Sequence, residues 1–135
     1  MTLQSILKYL SPIYIILVIL ISLVPIGGTS ESLNNIHVLS FRLDYLLHAL
    51  VFIPLFPLWR WGWPHHNAWM VLFAGLLLAV ATEAVQIYIP YRAYNINDLL
   101  ANAAGVLVGV MLFFLLTKIV FQRSARKTTS QANTT

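Results

Sequence analysis

The sequence predicts an all-α, polytopic membrane protein: four transmembrane helices in one bundle, with both termini on the cytoplasmic side. Three observations carry this reading. Hydrophobic residues make up 59% of the 135 residues and charged residues only 9%, against about 45–50% and about 25% in soluble domains. The apolar residues gather into four stretches, and a membrane-spanning helix needs about 20 residues. The basic residues concentrate on one side of those stretches. A soluble domain of this length has too little interior to hide so much apolar surface. Soluble enzymes and disordered chains are therefore excluded. Cysteine is absent, which removes disulfides, zinc–thiolate sites and a cysteine nucleophile.

The first stretch runs from Tyr9 to Ile26 without a charge, between Lys8 and Gly27-Gly28. Its spanning length, framed by Pro12 and Pro25, and the lack of a clean small-x-small cleavage site favour a retained helix over a signal peptide. The second, about Asp44 to Trp59, is short and contains Pro54 and Pro57. A kink is expected there, with neighbouring helices satisfying the freed carbonyls. The third runs from about Asn67 to Ile89 and closes at Pro90; the fourth runs from about Ile96 to Val120. Residues 1–121 thus form the membrane domain. Residues 122–135, basic and rich in Ser and Thr, are expected to be a disordered cytoplasmic tail.

With both termini inside, the inner side holds Lys8, Arg60, Lys118, Arg123, Arg126 and Lys127, and the outer side only Arg42 and Arg92. That asymmetry follows the positive-inside rule. All four tryptophans (Trp59, Trp61, Trp63, Trp69) surround the loop between the second and third spans, as an interfacial belt does, and Tyr88, Tyr91 and Tyr94 mark the opposite face. The basic tail serves topology and attraction to anionic lipid. Lacking interleaved aromatics, it does not read as a nucleic-acid site. His65 and His66 fall in the inner loop and read as solvated; His37 lies in the outer loop with no recognisable partner.

The acidic residues are only four, and three of them, Asp44, Glu83 and Asp98, fall near the outer ends of the second, third and fourth spans. Arg42 and Arg92 lie beside them in sequence, and His48, Gln86 and Asn102 complete the set. At about 1.5 Å of rise per residue, all reach the outer third of a bilayer core about 30 Å thick. Asp44 and His48 share a helix face, as do Asp98 and Asn102. Gly105 and Gly109 continue the Asp98–Asn102 stripe and permit close helix approach, so that stripe faces protein. Gly75, Ala79, Thr82 and Gln86 form a similar stripe beside Glu83.

One buried polar cluster is therefore expected near the outer surface. An acid at the centre of a span costs roughly 2.5–3.5 kcal/mol on insertion scales, and intramembrane ionisable residues mark functional sites by default. The bland alternative is that they lock four helices in register. Asp44, His48, Glu83 and Asp98 are the candidate proton-handling or catalytic groups; Arg42, Gln86, Arg92 and Asn102 are the candidate ligand-binding groups, the arginines for anionic groups. A metal is not assigned, because no H-E-x-x-H pattern or second histidine lies near His48. No serine or threonine has a nucleophile context, and there is no phosphate loop or Rossmann signature.

The same residues resemble the VanZ-like family of small bacterial membrane proteins. Ser22-Leu23-Val24-Pro25 looks like the end of that family's first helix, and Asp44-x-x-x-His48 like its acid–histidine motif. Glu83-x-x-Gln86 is similar to its third-helix motif. Arg92, Asp98, and then Leu99-Leu100-Ala101-Asn102-x-x-Gly105-x-x-x-Gly109 resemble its most specific stretch. Tyr45 stands where the family often carries lysine, with Arg42 the nearby base. The resemblance implies a bacterial cell-envelope protein of the plasma membrane; the founding member is associated with resistance to the glycopeptide teicoplanin.

The expected function is recognition, or modification, of a polar ligand at the outer face, an anionic lipid or cell-wall precursor by location. The alternatives are a membrane hydrolase or transferase using the Asp/His/Glu set, and a structural partner-binding subunit. The enzyme question stays open at this point. The expected partner is the lipid bilayer, with no nucleic acid and no cofactor.

Overall fold

The computed structural model describes residues 2–23, 37–38, 41–89 and 94–132. In chain order they form α1 (Leu3–Leu23), β1 (His37–Val38), β2 (Phe41–Arg42), α2 (Leu43–Phe52), α3 (Leu55–Gly62), α4 (Ala68–Gln86) and α5 (Ile96–Ala132). Helices α2 and α3 together make one span, Leu43–Gly62, so four segments are long and apolar enough to cross a membrane. The most extensive contacts are α2 with α5, α1 with α3, and α4 with α5. Val18, Phe52, Leu55, Ala79 and Val106, one or more from each span, form the apolar centre.

The prolines act where the chain can absorb them. Pro54 has no N–H to give, and the second span breaks into two helices at Ile53–Pro54. Helical bonding continues on both sides: Ile53 N donates to Ala49 O at 3.1 Å and Leu58 N to Pro54 O at 3.0 Å. Pro57 sits in the first turn of α3, where a backbone N–H has no helical partner anyway. Beside the break, the Tyr14 hydroxyl of α1 donates to Val51 O at 2.8 Å. In α1, Pro12 deprives Lys8 O of its helical donor, and the Ser11 hydroxyl donates to that oxygen at 3.4 Å.

The bundle is apolar outside and polar inside. Leu77, Phe73, Leu107 and Val120 are exposed, whereas Ser11, Thr82, Glu83, Gln86 and Asn102 are buried. In a bilayer this arrangement puts side chains of lipid-like character against the lipid and polar groups where partners exist. Glycines set the closeness of α5 to the broken span. A β-carbon on Gly105 would overlap the Ala49 carbonyl oxygen and lie 2.9 Å from Phe52 Cβ. One on Gly109 would overlap the carbonyl oxygen of Ile53, the oxygen that Pro57 leaves without a helical donor. Small residues here let backbone approach backbone, and glycine Cα–H groups can contact the carbonyls.

Four details depart from the sequence reading. A two-stranded antiparallel hairpin pairs His37 with Arg42 and Val38 with Phe41, in a loop for which no strand was expected. Helix α4 ends at Gln86 and not near Ile89; the chain tightens into i→i+3 turns, with Ile89 N donating to Gln86 O at 3.1 Å. Helix α5 runs on to Ala132, through most of the stretch expected to be disordered. No Gly or Pro follows Gly109 to stop it, and Arg, Lys, Gln and Ala favour helix. Finally, His66 is not simply solvated: its Nδ1 accepts from Trp59 Nε1 at 2.9 Å. That bond helps to close the α3–α4 loop, with Arg60 Nη1 donating to Pro64 O at 2.8 Å and His66 O at 2.6 Å.

Candidate functional site

Three helices deliver the polar cluster to one place. α4 supplies Glu83 and Gln86 from its last turn; α5 supplies Asp98 and Asn102 from its first two turns; α2 supplies His48 one turn after Asp44. The residues meet because the faces that carry them are also the faces that pack: Asn102 precedes Gly105 on α5, and His48 precedes Ala49, whose carbonyl Gly105 approaches.

The central contact is a chain of hydrogen bonds across all three helices. Asn102 Nδ2 donates to Glu83 Oε1 at 3.0 Å. Asn102 Oδ1 lies 3.1 Å from His48 Nδ1. A carboxylate only accepts, so the Asn102 amide nitrogen must face Glu83 and its oxygen must face the imidazole. An amide oxygen also only accepts, so His48 Nδ1 carries a proton and donates it. In the neutral ring the lone pair is then on Nε2. That nitrogen points toward Asp98, with Oδ2 at 3.8 Å, too long for a direct hydrogen bond.

Burial is graded along this chain. The Glu83 side chain is 1% exposed, that of Asp98 13% and that of His48 23%. Asn102 and Gln86 are buried with Glu83. The acid is thus deep and the imidazole is part-exposed. Glu83 Oε1 is also 3.8 Å from His48 Nδ1, so positive charge on the ring is attracted from both edges. The two carboxylates lie on opposite sides of the imidazole. Among the described residues no three His, Asp or Glu side chains are placed to hold one metal ion.

The rim is built from the helix starts. Asp44 lies in the first turn of α2, where the helix dipole favours an acid, and its Oδ1 accepts from Tyr45 N at 3.0 Å. Asn95 precedes α5 and caps it: Oδ1 accepts from Asn97 N at 3.0 Å, while Nδ2 donates to Asp98 Oδ1 at 3.1 Å. Asn97 Nδ2 donates to the Tyr45 hydroxyl at 3.3 Å, tying α5 to α2. Asn95 and Asn97 are members that residue-by-residue reading missed. The signal was present as a helix-start pattern, Asn95-x-x-Asp98. The Arg42 side chain and Arg92 lie outside the described residues.

Four apolar segments of spanning length around a buried carboxylate–amide–imidazole chain define a multi-pass membrane protein with a polar site set in its helix bundle. The chain belongs to the VanZ/LLP1 family, whose profile matches residues 4–117. No curated protein and no solved structure matches it.

Proposed function

We propose that the cluster is a ligand site at the outer face of the bacterial plasma membrane, where His48 Nε2 meets a polar group of an envelope molecule. The observation that supports this most is the Glu83–Asn102–His48 chain. It sets the imidazole tautomer and leaves the lone pair on Nε2, beside Asp98, on a part-exposed ring. A hydroxyl or ammonium that approaches Nε2 beside Asp98 would donate to it. If the proton transfers, the ring becomes imidazolium, and Glu83, acting through Asn102, and Asp98 stabilise the charge. Arg42 and Arg92 are proposed to hold anionic groups of the same ligand, a lipid headgroup or cell-wall precursor.

The tautomer also favours the alternative of a membrane hydrolase or transferase, because a lone pair on Nε2 backed by an acid is the arrangement of a general base. The two readings share the residues and differ in whether a bond is broken. Family membership raises glycopeptide resistance as the cellular role to test first.

The experiment complements a deletion strain with wild type, His48→Gln or Asp98→Asn and measures glycopeptide susceptibility and envelope integrity. Both variants are expected at wild-type abundance with the phenotype lost. Asp98→Asn keeps an oxygen for Asn95 and removes the charge beside Nε2. An intact phenotype in both would contradict the site. Orientation is tested separately. Single cysteines placed in residues 28–40 are expected to label from outside intact cells, and cysteines in residues 123–135 to stay protected; the reverse pattern would put the site on the inner face.

A further inference from the structure

A second feature lies in the other half of the bundle. A cavity of about 220 Å³ opens between the spans, lined by apolar side chains including Ile15, Phe56, Trp59, Ala74, Gly75 and Val106. Along α4 it extends from Met70 to Leu78, about 12 Å at the helical rise. Leu78, the lining residue of α4 nearest the cluster, lies five residues, about 7.5 Å, before Glu83, and none of the polar residues of the cluster lines the cavity. Met70 and Ala74 are exposed, so the cavity opens sideways onto the bilayer, where the surrounding solvent is acyl chain and not water.

The end of the cavity at Trp59 has a charge. Trp59 stacks on Trp63 with ring centroids 6.2 Å apart, and Lys8 Nζ lies 4.5 Å from the Trp63 centroid. Arg60 follows Trp59 directly, and Lys118 lies toward the same end of α5. Among the described residues, the acids Asp44, Glu83 and Asp98 fall outside this end. An apolar slot that ends at an aromatic belt beside cations has the order of features of a phospholipid: chain, interface, anionic headgroup.

We propose that this cavity binds one acyl chain of an anionic phospholipid from the leaflet on the Trp59–His66 side, with its phosphate held near Lys8. Gly75 keeps the slot open, because a β-carbon there would already press to 3.2 Å from Val106 Cγ1. Ala74 forms the lateral mouth.

The test titrates the full-length protein in neutral detergent with phosphatidylglycerol or phosphatidylcholine carrying brominated chains, and follows quenching of tryptophan fluorescence. The expected result is saturable quenching with one lipid, at least about fivefold tighter for phosphatidylglycerol. Ala74→Phe should plug the mouth and weaken that binding about tenfold. Val80→Phe, at an exposed position of α4 that does not line the cavity, should leave it unchanged. Lys8→Gln alters an exposed side chain without repacking and should reduce the preference for phosphatidylglycerol about fivefold, as expected for one near-surface cation. Non-saturable quenching, equal affinity for the two lipids, or an Ala74→Phe protein of unchanged melting temperature and unchanged binding would each overturn the proposal. Should Ala74→Phe fail to fold, the Lys8→Gln preference decides alone.

Discussion

Replacing Gly105 with leucine is expected to destroy the fold. The residue sits where α5 meets α2, against the Ala49 carbonyl oxygen and Phe52 Cβ. These are a backbone atom and the root of a buried side chain, and neither can swing aside as the end of a flexible side chain can. Overpacking a core by a few methylenes typically costs about 1–3 kcal/mol. Here the backbones themselves must separate, so the cost is expected at or above the top of that range. Separation would also pull Asn102, one turn earlier, away from Glu83 and His48. The measurement is the yield of monodisperse protein in detergent and its melting temperature. A Gly105→Leu protein that melts like wild type would show that this face of α5 does not pack on α2.

The second large effect belongs to Glu83, where two substitutions should separate. Glu83→Leu is expected to destabilise by about 1–3 kcal/mol, the usual penalty for leaving a buried donor unsatisfied, because the Asn102 amide loses its acceptor. Glu83→Gln keeps an oxygen for that amide. It removes the charge, so the bundle should be at least as stable as wild type. If the carboxylate serves only to hold helices together, Gln should also preserve the cellular phenotype. If it supports positive charge on His48, the phenotype should be lost from a well-folded protein. Melting temperature and susceptibility, measured on the same two variants, distinguish these outcomes.

Much of this was legible in the chain, and the reasons differ from element to element. The four spans follow from apolar length, a property of local sequence. The convergence of His48, Glu83, Asp98 and Asn102 follows from rise per residue and helix periodicity, since all four lie at similar depth on inward faces of three spans, His48 ahead of the break in the second. The division of the second span was announced by Pro54. The hydrogen-bond order was not legible: nothing in the spacing says that Asn102, and not Gln86, bridges Glu83 to His48. That choice depends on the helix rotation that Gly105 permits. Asn95 escaped notice because its role is local capping, which brings Asp98 into register with the ring. The length of α5 was misjudged because its polar and basic residues were read for solvation alone, although Arg, Lys, Gln and Ala also favour helix.

The claim that a deep acid, through an amide, orients a part-exposed imidazole is tested most directly on the imidazole itself. With histidine nitrogens labelled and His48 assigned by its absence in His48→Gln, long-range nitrogen–proton correlation spectra of the protein in detergent report the tautomer above the ring's titration. The expected state is a proton on Nδ1 and an unprotonated Nε2, reverting in Asn102→Leu toward the mixture of a free ring. A wild-type His48 with its proton on Nε2 would contradict the hydrogen-bond chain and, with it, the proposed ligand-facing base.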